Sequence, residues 1–205
     1  MHDSKLDELA RLIAAWPGLA AGPTAGLVED CLVLVDHLGD ARRVVDVGSG
    51  GGLPGLPLKI VRPDLEVVLV EADGDKAAFL TYACAQLGLS GVEVVNRRAE
   101  EAARDPHLRE AFDLAVARAL APMRVLAELC LPFVRVGGRL LAQKTAAEDV
   151  GSAGHAIEVL GGGPARVMAA PSSLRRSGTV VVVEKIGPIP DAYPRRAGLP
   201  ARKPL

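Results

Sequence analysis

Residues 44–57 have the sequence Val-Val-Asp-Val-Gly-Ser-Gly-Gly-Gly-Leu-Pro-Gly-Leu-Pro, and the rest of the chain is organised around them. This stretch begins as a short apolar run rich in β-branched residues, which is the pattern of a buried strand. Glycines follow, and their backbone allows angles and close approaches that a Cβ would block. After Leu53 the spacing becomes helical, and a proline at 54 or 57 suits a first helical turn. Together these features predict a nucleotide-type ligand site at the carboxyl end of the first strand of an α/β sheet.

Strand and helix patterns alternate along most of the remaining sequence. Short apolar runs predict strands, and apolar residues three or four apart predict helices. The last two strand candidates have no good helix between them, which predicts an antiparallel pair. The predicted strands span residues 44–47, 66–71, 92–95, 112–117, 139–143, 165–169 and 179–184. The main predicted helices span about 4–15, 27–38, 75–87, 123–134 and 146–160. A further helix is predicted from the end of the glycine stretch to about Val61, and another begins after Asn96.

This alternation predicts an α/β fold with a doubly wound, mostly parallel seven-stranded sheet that has an antiparallel edge. Two helices precede the sheet. We divide the chain into an N-terminal helical cap (1–40), a ligand-binding core (41–186) and a basic, proline-rich tail (187–205).

The composition predicts a globular protein with a sizeable core. Of its 205 residues 49% are hydrophobic, but no apolar run approaches the roughly 20 residues of a membrane span. The N-terminus lacks the basic start and apolar centre of a signal peptide, so we expect a cytoplasmic protein. Cys31, Cys84 and Cys130 stand apart among apolar neighbours, which predicts buried thiols and no metal site. The net charge of −1 gives no overall basic signature, but a local patch can still bind RNA.

Two glycine registers overlap in the opening stretch and favour different ligands. Gly50-x-Gly52-x-x-Gly55 formally fits a dinucleotide fingerprint, but a lone match of this kind is weak. Asp46-x-Gly48-x-Gly50-x-Gly52 places an acid inside the strand, as in class I S-adenosylmethionine (AdoMet) methyltransferases. An acid there can balance the methionine ammonium of AdoMet, whereas it would repel the phosphates of a dinucleotide. AdoMet is the favoured ligand, and a dinucleotide enzyme and a non-catalytic α/β binding protein stay open as alternatives.

Glu71 stands at the end of the second predicted strand, about twenty residues after the glycines. A carboxylate at this place can accept both hydroxyl donors of a ribose diol. The alternative is a solvated acid at a strand end.

Several further motifs resemble the GidB/RsmG family, bacterial methyltransferases that modify N7 of a guanine in 16S ribosomal RNA. The resemblance covers roughly residues 42–145 and the C-terminus, and its most specific parts are the Leu-Pro-Gly-Leu-Pro run and the tail. The motifs are Asp46–Leu58, Glu71 with Lys76 and Phe79-Leu80, Arg98-Ala99-Glu100, Phe112-Asp113, Ala117-Arg118-Ala119 and Tyr193–Leu205.

The resemblance implies roles for individual residues. Arg118 and Lys144, both at strand ends, would face the bound cofactor or the target base and serve as catalytic residues. The alternatives are a strand-end salt bridge for Arg118 and a solvated lysine for Lys144. The implied cofactor-binding residues are Asp46, Gly48, Ser49, Gly50, Gly52, Leu53, Glu71, Arg98, Ala99, Glu100 and Arg118.

Methylation at guanine N7 needs little acid–base chemistry, because N7 carries an in-plane lone pair and no proton must leave first. The enzyme must mainly place N7 in line with the methyl carbon, which is catalysis by proximity. The sequence has no Asn-Pro-Pro-Tyr motif, and Cys84 and Cys130 lie in predicted helices instead of following a strand. These features favour N7 over an exocyclic amine or a pyrimidine C5.

The tail adds an argument for RNA. Its basic residues are Arg195, Arg196, Arg202 and Lys203. The intervening glycine and prolines predict an extended segment that orders on phosphates, and a merely solvated end is the alternative. The expected partner is small-subunit ribosomal RNA or the 30S particle, and the protein is expected to be a monomer.

The sequence also departs from the family. The Asn-Leu-Thr and Arg-His segments that members usually carry after Trp16 are missing or shortened, and Thr145 replaces the glycine after Lys144. The segment 17–25 is instead rich in glycine, alanine and proline. A divergent methyltransferase of another RNA or small molecule, or a non-catalytic AdoMet-binding regulator, therefore remains an alternative.

Overall fold

The computed structural model describes residues 2–19 and 23–205. In these residues seven strands form one sheet: β1 (Arg43–Val47), β2 (Glu66–Val70), β3 (Val92–Val95), β4 (Phe112–Arg118), β5 (Val134–Thr145), β6 (Arg166–Ala169) and β7 (Gly178–Glu184). Their order is β3-β2-β1-β4-β5-β7-β6. β7 is antiparallel to β5 and β6, and the other neighbouring strands are parallel. The predicted doubly wound sheet with an antiparallel edge is confirmed.

The helices cover both faces of the sheet. They are α1 (His2–Ala15), α2 (Thr24–Cys31), α3 (Gly55–Val61), α4 (Gly74–Gln86), α5 (Ala99–Ala102), α6 (Met123–Cys130), α7 (Gly154–Val159) and α8 (Leu199–Arg202). Buried residues of α1 to α4 form one apolar cluster, and those of α5 to α7 form another. Successive residues of β2 alternate between the two clusters, as the pleat of a strand buried on both faces requires. Within the described ranges, no helix has the length and apolarity needed to cross a membrane.

The register of the parallel strands gathers the predicted site residues at one edge. Val47 at the end of β1 pairs with Val70 of β2, and Asp46 pairs with Val116 of β4. Arg118 of β4 pairs with Gln143 of β5. The segments that follow these strands therefore leave the same edge of the sheet, as the site prediction requires.

Several predicted boundaries are wrong. The second helix ends at Cys31 and continues as a 3-10 segment (Leu32–His37), and the helix predicted over 146–160 is reduced to α7 after a 3-10 turn. The glycines at 137 and 138 predict a break before the fifth strand, but they lie within β5. Gly137 has a φ of +83° there, and a Cβ on Gly138 would lie 2.6 Å from the Asp113 carbonyl oxygen. The glycines thus permit an irregular close pairing with β4 instead of ending the strand.

The prediction of an extended tail is also wrong. Ile189, Pro194 and Pro200 are buried, and Leu199–Arg202 forms α8. Tyr193 and Leu205 pack against the apolar cluster that contains α6. The tail is therefore a folded part of the structure, because its apolar residues bury against the core despite their glycine and proline neighbours.

Candidate functional site

A cavity of about 500 Å³ opens at the carboxyl ends of β1, β2 and β4. The glycine turn after β1 forms its floor, and Ile13, Leu19 and Leu27 from the N-terminal region contribute an apolar wall. The predicted cofactor residues among its walls are Gly48, Ser49, Gly50, Leu53, Glu71, Arg98, Ala99, Glu100 and Arg118. The fold thus brings together residues from four separate stretches of the sequence. Residues 20–22, in the glycine-, alanine- and proline-rich segment 17–25, lie outside the described part of the chain.

The glycine turn is held against β2 by its own backbone. The amides of Gly48 and Ser49 donate to the carbonyl of Val70 at 2.8 and 3.1 Å. Gly48 and Gly50 have φ values of +71° and +54°, which favour glycine. A Cβ on Gly48 would lie 2.5 Å from Leu120, but one on Gly50 would meet no atom closer than 4.0 Å. Gly48 is thus needed for packing, whereas Gly50 leaves open space over the cavity floor.

Glu71 links the two turns that border the cavity. It is 8% exposed, and its Oε2 accepts a hydrogen bond from the Gly50 amide at 2.8 Å. Its Oε1 accepts one from the Asp73 amide at 2.9 Å. A carboxylate oxygen has two lone pairs, so each oxygen can still accept one hydroxyl donor. The side chain is therefore oriented by the protein before any ligand arrives.

Asp46 and Gly52, which the resemblance assigns to the cofactor, lie behind the cavity walls instead of among them. Asp46 is fully buried, and its Oδ2 accepts a hydrogen bond from the Gly55 amide at 2.8 Å, at the start of α3. Its Oδ1 has no partner among the described residues. A Cβ on Gly52 would lie 2.4 Å from Leu56, so this glycine permits helix packing. Both residues shape the turn from behind.

Burial gives Asp46 an unusual titration. Loss of hydration raises the pKa of its carboxyl from 3.8 to about 7, against the hydrogen bond from Gly55, and the charge of Glu71 adds to the rise. Near neutral pH the buried carboxyl is therefore divided between its protonated and charged forms.

A second cavity of about 400 Å³ shares Arg118, Ala119 and Leu120 with the first. Ala119 has a φ of +53°, a left-handed conformation that costs a residue with a Cβ about 1–2 kcal/mol. Such strain is held in place by its surroundings and often occurs at functional sites. Here it lies at the boundary between the two cavities, directly after β4.

The two predicted catalytic residues are held differently. Arg118 donates from Nε to Asp30 Oδ2 at 3.3 Å, and no described residue accepts from its two Nη groups. Lys144 lines only the second cavity and is 9% exposed. Its ammonium donates to the Ala121 carbonyl and pairs with Glu148 at 3.2 Å. Arg118 thus has free donors at the shared wall, whereas the charge of Lys144 is already paired.

Sequence reasoning missed a buried polar cluster around Asp30. This fully buried carboxylate accepts from Arg175 Nε at 2.8 Å and from Ser172 Oγ at 2.5 Å, as well as from Arg118. Gln143 donates its amide to the Asp30 carbonyl at 2.5 Å. Burial opposes ionisation, but the hydrogen bonds from Arg175 and Ser172 and the nearby arginine charges outweigh it, so the pKa of Asp30 lies below its usual value. No local motif marks these partners, because they meet only through the fold.

Three features of the first cavity suit AdoMet, namely its carboxylate, its floor and its walls. Glu71 is fixed with free lone pairs, as a ribose diol requires. The floor is open backbone at Gly50, and the walls combine Leu53 and Val70 with polar groups of residues 98–100. In the described ranges no group of three or more His, Cys, Asp or Glu side chains is placed to hold a metal ion. The fold and site together define a class I AdoMet-dependent methyltransferase.

Comparison with known proteins identifies the family. The GidB family, rRNA small subunit methyltransferase G, matches residues 25–173, and the chain belongs to this family. The ribosomal RNA small subunit methyltransferase G of Moorella thermoacetica is 47% identical over 180 residues, covering 85% of this chain and 74% of that protein. The protein of the same name from Rubrobacter xylanophilus is 42% identical over 230 residues, covering 98% and 83%.

Solved structures support the fold independently. A SAM dependent methyltransferase from Aquifex aeolicus superposes with a TM-score of 0.61 and covers 88% of this chain and 98% of its own. At 17% identity this likeness shows the fold alone. The predictions of a class I methyltransferase fold, of the GidB/RsmG family and of AdoMet as cofactor are confirmed.

Proposed function

We propose that this protein transfers a methyl group from AdoMet to N7 of a guanine in small-subunit ribosomal RNA. The observation that carries the proposal is the wall shared by the two cavities, at which the Nη groups of Arg118 have no protein acceptor in the described structure. A cofactor in the first cavity and a base in the second would meet at this wall. The names of the relatives from Moorella thermoacetica and Rubrobacter xylanophilus support ribosomal RNA as the substrate.

The residues that would hold the cofactor follow from the cavity walls. Glu71 would accept the ribose hydroxyls, the backbone of Gly48–Gly50 would border the methionine part, and Arg98–Glu100 would border the adenine. When bound, AdoMet supplies an electrophilic methyl group. The protein needs no general base for N7, so its contribution is to orient the base and to exclude water.

Arg118 is the residue that can orient the base. Its Nε is fixed by Asp30, which leaves the planar end of the guanidinium to donate to guanine O6 or to a phosphate. Lys144 has both a carbonyl and a carboxylate partner, so we assign it to shaping the wall of the second cavity rather than to binding the base.

The RNA contacts proposed for the tail need revision. Arg196, Arg202 and Lys203 are exposed and remain candidates for phosphate contacts, but Arg195 is engaged with the buried Glu128. A protein that modifies ribosomal RNA acts where ribosomal subunits are present, so we propose the cytoplasm as its location. We also propose that the protein acts as a monomer.

Deletion of the gene, followed by mass spectrometry of nucleosides from small-subunit ribosomal RNA, tests the proposal. We expect one N7-methylguanosine to disappear and to return with the wild-type gene but not with Arg118→Met. Retention of this nucleoside in the deletion strain would refute the substrate assignment. Loss of a different modified nucleoside would identify a divergent target instead.

A further inference from the structure

The tail reaches the outer side of the cofactor cavity and contacts two buried carboxylates there. One is Glu128 of α6, which is 1% exposed and precedes Leu129, a wall residue of the cavity. The other is Glu100 of α5, which is 3% exposed and is itself a wall residue. The tail therefore contacts one wall residue directly and a second through its neighbour in the chain, and both contacts join residues that are distant in sequence.

The first contact joins Arg195 to Glu128. The Arg195 side chain donates to both carboxylate oxygens, from Nε at 2.9 and 3.1 Å and from Nη2 at 2.5 Å, and its backbone amide donates to Oε1 at 2.8 Å. This is a bidentate, charge-assisted pair with an added backbone bond, and its geometry is specific to arginine. The hydrogen bonds to Glu128 stabilise the charged form of Arg195 and raise the pKa of its guanidinium.

The second contact joins Gly198 to Glu100. The Gly198 amide donates to Glu100 Oε1 at 2.7 Å, and Arg98 donates to the same oxygen at 3.4 Å. Gly198 has a φ of +78°, which directs this amide at the start of α8. None of the described residues donates a hydrogen bond to Glu100 Oε2. The tail thus fixes one oxygen of a cavity-wall carboxylate and leaves the other without a donor.

Two arginines outside the tail hold its backbone in this position. Arg109 donates to the carbonyls of Tyr193 at 2.8 Å and Ile189 at 3.2 Å. Arg104 donates to the carbonyl of Pro194 at 2.5 Å. Both arginines follow α5, so the segment after this cavity-wall helix is joined to the tail by several hydrogen bonds. These contacts are side chain to backbone, and they set the position of the tail without depending on its sequence.

We propose that the tail is a strap that fixes the Arg98–Glu100 wall and α6 in the arrangement that binds AdoMet, with Arg195 as the main positioning residue. Arg195 touches neither cavity and acts through Glu128. The inference concerns cofactor affinity and is independent of which RNA atom is methylated. It gives the tail a function in the cofactor site rather than in RNA binding alone.

Calorimetric titration of AdoMet into Arg195→Met and Arg196→Met tests the proposal. The two variants remove the same charge from neighbouring positions, and Arg196 is exposed. We expect the Kd to rise by about 2-fold to 30-fold in Arg195→Met, the range over which residues remote from a ligand alter its binding, and to stay unchanged in Arg196→Met. Titrations well below the melting temperatures of both variants separate affinity from stability. Equal Kd values in the two folded variants would overturn the proposal, whereas a wild type that binds no AdoMet would instead refute the cofactor assignment.

Hydrogen exchange on the wild-type protein gives a second test that does not depend on a variant folding. Coupling between two sites is reciprocal, so AdoMet must stabilise the strap if the strap stabilises the AdoMet site. We expect saturating AdoMet to slow exchange at the amides of Arg195 and Gly198, and to leave the exposed strand β6 unchanged. Exchange at these two amides that is insensitive to AdoMet would overturn the proposal even if Arg195→Met could not be purified.

Discussion

Replacement of Glu71 by Ala removes a side chain that both hydrogen-bonds to the glycine turn and lines the cofactor cavity. In the native protein its two oxygens accept from the amides of Gly50 and Asp73 at 2.8 and 2.9 Å. Alanine leaves both amides without an acceptor and removes the carboxylate proposed to bind the ribose. We therefore expect a loss of stability and a loss of cofactor affinity from the same substitution.

The two losses can be estimated separately. A hydrogen bond to a charged group contributes about 1.5–3 kcal/mol, so two dry, unsatisfied amides would cost about 3–6 kcal/mol. Water can enter the cavity and replace part of this, so we expect the free energy of unfolding to fall by about 2–4 kcal/mol. Loss of the ribose contacts on the same scale predicts that the AdoMet Kd rises at least about tenfold.

Urea denaturation and AdoMet calorimetry on Glu71→Ala measure the two quantities. Glu66→Ala is the matched control, because Glu66 stands at the other end of β2, is exposed, and pairs with the exposed Arg43 at 3.6 Å. It should change neither quantity appreciably. An AdoMet Kd for Glu71→Ala within threefold of the wild type, in folded protein, would refute the assignment of Glu71 to the cofactor.

Three further predictions concern the turn, the strained residue and the base. The native pKa of Asp46 is about 7, above the 3.8 of an unperturbed carboxyl, so between these pH values the native state binds more protons than the unfolded state and loses stability as the pH rises. In urea denaturation at pH 5 and 8, the unfolding free energy of the wild type should fall by about 1–4 kcal/mol relative to that of Asp46→Asn. Parallel pH profiles of the two proteins would contradict this prediction. Ala119→Gly should leave the free energy of thermal unfolding nearly unchanged, because relief of the positive φ offsets the flexibility of glycine. Ala78→Gly, on the exposed face of α4, should lower it by about 1 kcal/mol. Equal losses in the two variants would argue against strain at Ala119. Arg118→Met should lower kcat for RNA methylation by about 100-fold or more with little change in the AdoMet Kd, and an unchanged kcat would exclude Arg118 from orienting the base.

The sheet and the cofactor cavity are predictable from the sequence because they depend on local patterns. A buried parallel strand appears as a continuous apolar run, and a glycine turn appears as glycines at fixed spacing. Glu71 is found in the same way, since the length of one β-α-β unit determines where an acid at the end of the second strand falls. For these features the local sequence and the fold agree.

The parts that sequence reasoning missed depend on contacts between distant residues. Asp30 accepts hydrogen bonds from Arg118, Ser172 and Arg175. These residues meet only because α2, β4 and the segment before β7 are neighbours in the fold. The sequence predicts Arg195 to be a free cation in a proline-rich tail, because nothing local marks its partner Glu128, which lies 67 residues earlier. Composition predicts solvation for such a segment, and tertiary burial overrides it. Asp46 shows the same limit, because its position in the motif does not reveal that its carboxyl bonds to the start of α3.

The fate of a labelled methyl group shows directly whether this protein methylates guanine N7 in 16S ribosomal RNA. Purified protein, small ribosomal subunits from the deletion strain and AdoMet labelled with ¹³C in its methyl group are incubated, and the RNA nucleosides are analysed by mass spectrometry. We expect about one labelled methyl per 16S ribosomal RNA, recovered as N7-methylguanosine, and almost none with Arg118→Met protein. Label on another base or another guanine atom, or no label from wild-type protein that binds AdoMet, would contradict it.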